Sequence, residues 1–249
     1  MLLCASSPHA QRGALWEAYR QHYGRDDSDV LVWKAATREM NATVSQRFID
    51  AQLAKDHARA SADYLAEFRS DLEGFISRDA VMACVMLGLR ELPPSPNNFY
   101  HAFCDPSGGS SDSMTLAIAH SDLHRRVVVL DAIREVKAPF SPEAVTAEFS
   151  ALLKTYRIYH LHGDHYAKLW PEMFSRHGQH YEQNAQPKSD LYAALLPLIN
   201  SRRIELLDLP VLINQTCSLE RSTRHGAGEK IDHPPRGHDD VVNAVACRD

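Results

Sequence analysis

Up to residue 92 the apolar positions of this chain recur mainly at helical intervals. After residue 98 they gather into short runs separated by Gly, Ser and charged residues. In the first region residues 1–5 read as a buried strand, and residues 13–23 and 45–75 read as helices. The longer helix carries Phe48, Leu53, Tyr64, Leu65 and Phe68 among charges, with spacings of three and four in its latter part. Between the regions stands Leu92-Pro93-Pro94-Ser95-Pro96-Asn97-Asn98. Its prolines fix φ and remove backbone donors, which predicts a linker at 93–98 and a domain border there.

The second region predicts strands at 99–105, 114–120 and 126–133, forming an antiparallel meander. Helix 141–156, strand 158–162, helix 166–177, a short strand near 179–182 and helix 189–201 follow. Ser141 before Pro142 is favourable start chemistry for the first of these helices. Helices at about 209–223 and 238–247 flank a hairpin near 226–232. Three strands followed by alternating helix and strand describe a mixed sheet covered by helices, an α/β arrangement compatible with the ribonuclease H type of fold.

Composition changes this picture only at its edges. A chain of 249 residues has room for one full domain and part of a second. With 44% hydrophobic and 24% charged residues it is of the soluble globular class. Cys4, Cys84, Cys104, Cys217 and Cys247 stand singly, with no CxxC pair, so neither a disulfide framework nor a zinc knuckle is expected and a reducing cytoplasm fits best. No apolar run is long enough for a membrane span, and no targeting signal is read. The formal net charge of -5 argues mildly against a surface that clings to nucleic acid throughout, although an enzyme that works through metal ions concentrates acids where its ions sit.

The candidate chemistry lies in three acidic segments. Asp105 ends an apolar strand and is followed by Pro106-Ser107-Gly108-Gly109-Ser110-Ser111-Asp112, a loop of small residues that lets a phosphate or metal approach the backbone. Asp164 ends a strand in His160-Leu161-His162-Gly163-Asp164, and Asp239 and Asp240 open the last helix. Phosphodiester hydrolysis at two Mg²⁺ ions needs such a supply of carboxylates, because hard cations take oxygen ligands. Any one of these acids alone is better explained as a cap on backbone donors.

The residues around the acids resemble the nuclease domain of the large terminase subunits of tailed phages. Phe103-Cys104-Asp105, the glycine loop and Ser113-Met114-Thr115-Leu116-Ala117-Ile118 are similar to the family's first catalytic strand, loop and second strand. Gly163-Asp164-His165-Tyr166-Ala167, with Trp170-Pro171, Phe174, Gly178 and Tyr181, resembles its second acidic motif. His238-Asp239-Asp240 with Asn243-Ala244 resembles the third. The resemblance implies Asp105, Asp164 and one or both of Asp239 and Asp240 as catalytic ligands of two Mg²⁺ or Mn²⁺ ions. Asp112 is support rather than ligand, and His238 is a candidate to orient the last acids or touch phosphate.

The likeness extends upstream. Ala5-Ser6-Ser7-Pro8 with Gly13-Ala14-Leu15-Trp16, and Lys34-Ala35-Ala36-Thr37-Arg38-Glu39-Met40-Asn41, resemble the end of the family's ATPase domain and the segment leading into the nuclease. It implies an incomplete P-loop ATPase remnant at 1–92 and a ribonuclease H-like nuclease at 99–249. No Gly-x-x-x-x-Gly-Lys-[Ser/Thr] loop occurs, so no ATP hydrolysis is expected, and a truncated or degenerate prophage product is envisaged. Val127-Val128-Val129-Leu130-Asp131 is better read as a buried nuclease strand than as a nucleotide-binding acid. The implied setting is the cytoplasm of a bacterial host, with concatemeric double-stranded DNA as substrate. Its implied partners are a portal protein and a small terminase subunit, within a homo-oligomeric motor.

Two other readings stand beside this one. His160-x-His162-x-Asp164-His165 also fits the zinc motif of metallo-β-lactamase-type hydrolases. A non-catalytic remnant could instead only dock partners or DNA, with Arg125, Arg126, Arg202, Arg203, Arg221 and Arg224 as candidates to touch phosphate. Trp16, Tyr19 and Tyr23 form a stripe more suited to packing than to base stacking. With most of the expected partner sheet absent, that stripe predicts an exposed apolar face.

Overall fold

The structure, a computed structural model, describes residues 2–246 except 12, 27, 28, 56, 70, 71, 110, 111, 165–168, 225–227, 235 and 236. The chain divides into two compact units, residues 1–73 with 221–229, and residues 74–220 with 230–249.

The first unit holds α1 (Gly13–His22), α2 (Thr37–Met40), α3 (Gln46–Lys55), α4 (His57–Leu65) and most of β1 (Leu72–Gly74). The single helix expected over 45–75 therefore stops ten residues early. Ala66 turns into the left-handed region at φ 56°, and the Glu67 N–H reaches back to the Ser61 carbonyl at 3.2 Å, closing the helix end. Of the strand expected at 1–5, the described residues 2–5 form none. Leu2 and Leu3 are exposed, and a single parallel bridge from Ala10 to Arg69 is the nearest pairing. On α1 the aromatic stripe packs locally: Trp16 meets Phe68 edge-on at 4.9 Å and Tyr19 lies 5.1 Å from the same ring. No residue of α1 is fully buried, but Phe68 partly covers the stripe at Trp16 and Tyr19 and leaves only Tyr23 exposed; the most exposed apolar side chains nearby are Leu31 and Trp33, off the stripe.

The second unit continues with α5 (Arg78–Met82), β2 (Val85–Met86), β3 (Tyr100–Asp105), β4 (Met114–Asp122), β5 (Val127–Val136), α6 (Pro142–Thr155) and β6 (His160–Asp164). Then come α7 (Leu169–Arg176), β7 (His180–Asn184), α8 (Lys188–Asn200), β8 (Ile204–Leu207) and α9 (Pro210–Ser218), and α10 (Asp240–Ala246) closes it. β9 (Glu220–Arg224) and β10 (Gly228–Asp232) join β1 in a separate three-stranded sheet ordered β1-β9-β10. The turn of the expected hairpin lies outside the described residues.

Seven strands form the central sheet in the order β2-β8-β5-β4-β3-β6-β7. The meander β3-β4-β5 is antiparallel, and β6, β7, β8 and β2 join in parallel pairings, so the sheet is mixed. Helices α6, α7 and α8 provide the crossovers that parallel pairings require. Neighbouring residues of a strand face opposite ways. Phe103, Ala117 and Leu130 accordingly pack with Leu195, Leu212 and Val242 of α8, α9 and α10. Cys104, Leu116, Ile118 and Ala132 pack with Phe149 and Leu153 of α6 and Trp170 and Phe174 of α7 on the other side. Cover on both faces explains why Met114 to Ile118 is buried without alternation.

Two further expectations are corrected. The proline-rich stretch is not the border between the units, because α5 and β2 precede it and belong to the second unit. Its flanks are tied down: the Leu92 N–H donates to the Asp131 carbonyl at 2.8 Å, and the Tyr156 hydroxyl donates to the Leu92 carbonyl at 2.5 Å. The helix expected at 209–223 ends at Ser218, and Glu220–Arg224 is a strand. β8 was not foreseen at all; Ile204, Leu206 and Leu207 are buried, but four residues are too few for periodicity to distinguish.

Candidate active site

β3 and β6 are adjacent and parallel, with Phe103 opposite His162 and Cys104 opposite Gly163, so Asp105 and Asp164 emerge side by side at the C-terminal ends of these two strands. Gly163 makes that closeness possible. A side chain there would collide with the Tyr181 hydroxyl and come within 2.6 Å of the Cys104 carbonyl oxygen. The Tyr181 hydroxyl instead donates to the Asp164 carbonyl at 2.9 Å, which holds β6 and β7 together where the acid begins.

The third acidic segment is fixed from behind. Gln215 of α9 accepts through Oε1 from the Val241 N–H at 2.8 Å and the Val242 N–H at 3.1 Å, satisfying donors that the start of α10 leaves open. Asp239, immediately before α10, is buried, and its Oδ2 accepts from the Tyr192 hydroxyl of α8 at 2.6 Å. Asn243, one turn along α10, donates through Nδ2 to Asp164 Oδ2 at 2.9 Å, linking the second and third segments.

Asp105, Asp164, Asp239 and Asp240 all line one cavity of about 810 Å³, together with Asp112, Lys188, His233 and His238. The Lys188 ammonium lies 3.6 Å from Asp105 Oδ2, 3.6 Å from Asp239 Oδ1 and 4.0 Å from Asp164 Oδ2. Burial pushes the Asp105 carboxyl up to about 7; Lys188 and Asn243 oppose this, and the charges of Asp164 and Asp240 add to it. Burial also raises the Asp240 carboxyl, with the neighbouring Asp239 charge acting the same way. For Lys188, burial favours the neutral amine, but the surrounding carboxylates outweigh it and hold the ammonium above its ordinary range. Among the described residues Lys188 thus faces Asp105, Asp164, Asp239 and Asp240, and the Oδ2 atoms of Asp105 and Asp240 are buried without a hydrogen-bond partner.

The structure therefore brings together all four acids named from the sequence. His238 lies beside them, its Nδ1 3.8 Å from Asp240 Oδ2. Asp112 is on the cavity wall, its carbonyl accepting from Ser107 Oγ at 2.6 Å. Asp131 is not on that wall. It is buried in the sheet and bonded to His120 Nδ1 at 2.7 Å, as suits a strand interior. The four arginines at 125, 126, 202 and 203 lie at the opposite end of the sheet. The β4–β5 turn is next to Tyr100, at the start of the strand that Asp105 ends, and β8 begins opposite Val128.

The zinc-hydrolase arrangement is not assembled among the described residues. His160 hydrogen-bonds Glu182 and stacks on His162, whereas Asp164 turns to Asn243 and Lys188; His165 lies outside the described residues.

Sequence reasoning missed Lys188, Tyr192, Gln215 and His233. For Lys188 a signal existed, since a cation in the first turn of a helix opposes the macrodipole and calls for local acids. For Tyr192 and Gln215 nothing in the spacing sets them apart from core residues.

No protein-family model matches the sequence and no curated protein matches it. Solved structures do. The large terminase nuclease from thermophilic phage G20c is 14% identical with a TM-score of 0.58, the likeness covering 67% of this chain and 93% of that one. The Thermus phage P74-26 large terminase nuclease domain is 14% identical with a TM-score of 0.56, covering 69% of this chain and 93% of that one. The HK97 bacteriophage large terminase is 16% identical with a TM-score of 0.56, covering 89% of this chain but 54% of that one. Structures similar to this chain also include the G20c nuclease with bound cobalt, magnesium and zinc. The mixed sheet and its flanking helices therefore give this chain the fold of the nuclease domains of phage large terminases.

Proposed function

We propose that the second unit is a metal-dependent endonuclease that cuts concatemeric double-stranded DNA during viral DNA packaging. The observation that carries this reading is the convergence of four carboxylates from three segments on one cavity, in a fold shared with large terminase nucleases. The donor set fits hard divalent cations, being all oxygen and including two buried carboxylate oxygens that no protein donor satisfies. Asp105, Asp164, Asp239 and Asp240 would hold a pair of Mg²⁺ or Mn²⁺ ions. Such ions, when bound, lower the pKa of a water nucleophile and neutralise charge on the leaving oxygen.

The chain's own side chains prepare that arrangement. Tyr192 occupies Asp239 Oδ2, which leaves Oδ1 directed toward Lys188. Asn243 fixes Asp164 and Gln215 fixes the start of α10, so the acids are held by groups that cannot themselves ionise near neutral pH. Lys188, on a flexible stem, balances the carboxylates and is free to swing toward a phosphate oxygen once cations take over that charge.

In this reading double-stranded DNA is the substrate, and a portal protein, a small terminase subunit and a motor ring of identical subunits are its setting. The first unit is read as the end of an ATPase domain without its phosphate loop, and ATP hydrolysis is assigned to no residue of the chain.

The experiment is cleavage of supercoiled plasmid by the full chain with Mg²⁺, Mn²⁺ or EDTA, beside Asp105→Asn and Asp164→Asn. Cleavage that needs Mg²⁺ or Mn²⁺ and is lost in both variants supports the nuclease. Wild-type rates in the double variant, or no cleavage by a demonstrably folded chain, would overturn it, the latter in favour of an inert remnant. Asp239→Asn and Asp240→Asn assayed separately distinguish which of the two is the stronger ligand.

A further inference from the structure

The sheet face that carries Asp164 continues onto the edge strand β7 with a different set of donors. The parallel register places His160 opposite His180 and His162 opposite Glu182. Because strand side chains alternate, Leu161 and Tyr181 turn into the core beside Trp170 and Phe174 of α7, and the two histidine-bearing pairs share the other face. His160 and Glu182 are about half exposed there, at 51% and 54%, with His160 Nε2 2.9 Å from Glu182 Oε2. The His160 ring meets the His180 ring edge-on at 4.8 Å. One ligand atom from each of His160, His180 and Glu182 lies within 4.8 Å of the other two.

Four-coordinate zinc with bonds of about 2.0–2.1 Å places neighbouring ligand atoms roughly 3.4 Å apart. The trio's ligand atoms, within 4.8 Å of one another, exceed that spacing by at most about 1.4 Å, and all three side chains are exposed. We infer that His160, His180 and Glu182 form a surface site for a zinc-class divalent ion, separate from the acidic cavity, with water completing the coordination.

The two sites differ in what they select. Two imidazoles and one carboxylate favour Zn²⁺, Co²⁺, Ni²⁺ or Cu²⁺, whereas the four carboxylates of the acidic cavity favour Mg²⁺ or Mn²⁺. An ion on this trio would pin β7 to β6 at its start, four residues before Asp164. It would thereby brace an edge strand that has no partner beyond it in the central sheet. The competing use of the same residues is a plain surface ion pair between His160 and Glu182.

The test is zinc binding by the full chain, dialysed against ZnCl₂, with zinc per chain measured by emission spectrometry. The wild type is expected to hold one more zinc per chain than the His160→Ala/His180→Ala variant. Zinc should raise the melting temperature of the wild type more than that of the variant. With Co²⁺, visible absorption bands should appear in the wild type and vanish in the variant, whose Mg²⁺-dependent behaviour is unchanged. An Asp105→Asn/Asp164→Asn variant should keep the histidine-dependent equivalent, which separates this site from the acidic one whether or not the chain cuts DNA. Undiminished zinc in the histidine variant, or no zinc held by the wild type, would leave only the ion pair and overturn the proposal.

Discussion

The second unit buries an apolar cluster on each face of its sheet, and Phe149, Leu153, Leu161, Trp170, Tyr192 and Leu212 are all at most 1% exposed. Among the described residues of the first unit, only Ala10, Ile49, Ala60, Ser61 and Ala62 are buried, while Leu31, Trp33 and Met40 are exposed. Both units have amphipathic helices; only the second has a broad sheet for helices to cover. The difference shows that helical periodicity secures a helix but not a core. Stability comes from what the apolar stripe is packed against.

Hydrogen exchange tests this contrast most sharply. Amides in β4 and β5 are expected to be protected at least about 10³-fold more than those in α1 to α4, because sub-global opening is easiest where few apolar contacts must break. Equal protection would show that the first unit has a core of its own.

Paired truncations come next. Phe149→Ala should cost roughly 3–5 kcal/mol in chemical denaturation, as for other fully buried aromatics. Phe48→Ala, at a residue 46% exposed, should cost under about 1 kcal/mol. Similar losses would erase the distinction between the units.

Gln215→Ala strands two backbone N–H groups at the start of α10 and should cost about 1–3 kcal/mol. Metal-induced stabilisation should weaken with it, since the Asp239 and Asp240 backbone loses its anchor. Smallest of all is Trp33→Ser, at a residue 72% exposed, with a change in stability within about 0.5 kcal/mol and less aggregation by light scattering.

The meander and the crossover helices of the second unit were legible because apolar runs, breaks and the Ser141-Pro142 start coincide. The four acids were legible because each ends a strand or opens a helix, and an element's edge is where a side chain can meet others from distant segments. What escaped was long-range. The early stop at Ala66 depends on a left-handed residue that composition does not flag, and β8 depends on β5 and β2 lying either side of it. The proline stretch misled because prolines end local pairing without separating domains, and here hydrogen bonds to Asp131 and Tyr156 hold its start inside the unit. Lys188 acts on acids, and Gln215 on the backbone amides of Val241 and Val242, far along the chain, a relation that spacing does not encode.

The absence of a side chain at Gly163 has a consequence for how such a site can drift in sequence. The gap between β3 and β6 is set there by contact with Tyr181 and the Cys104 carbonyl, so even one added methyl group would push the strand bearing Asp164 away from the strand bearing Asp105. Position 163 acts as a spacer of zero thickness. A change at this one point would forfeit the separation of the two acids while leaving every acidic residue in place.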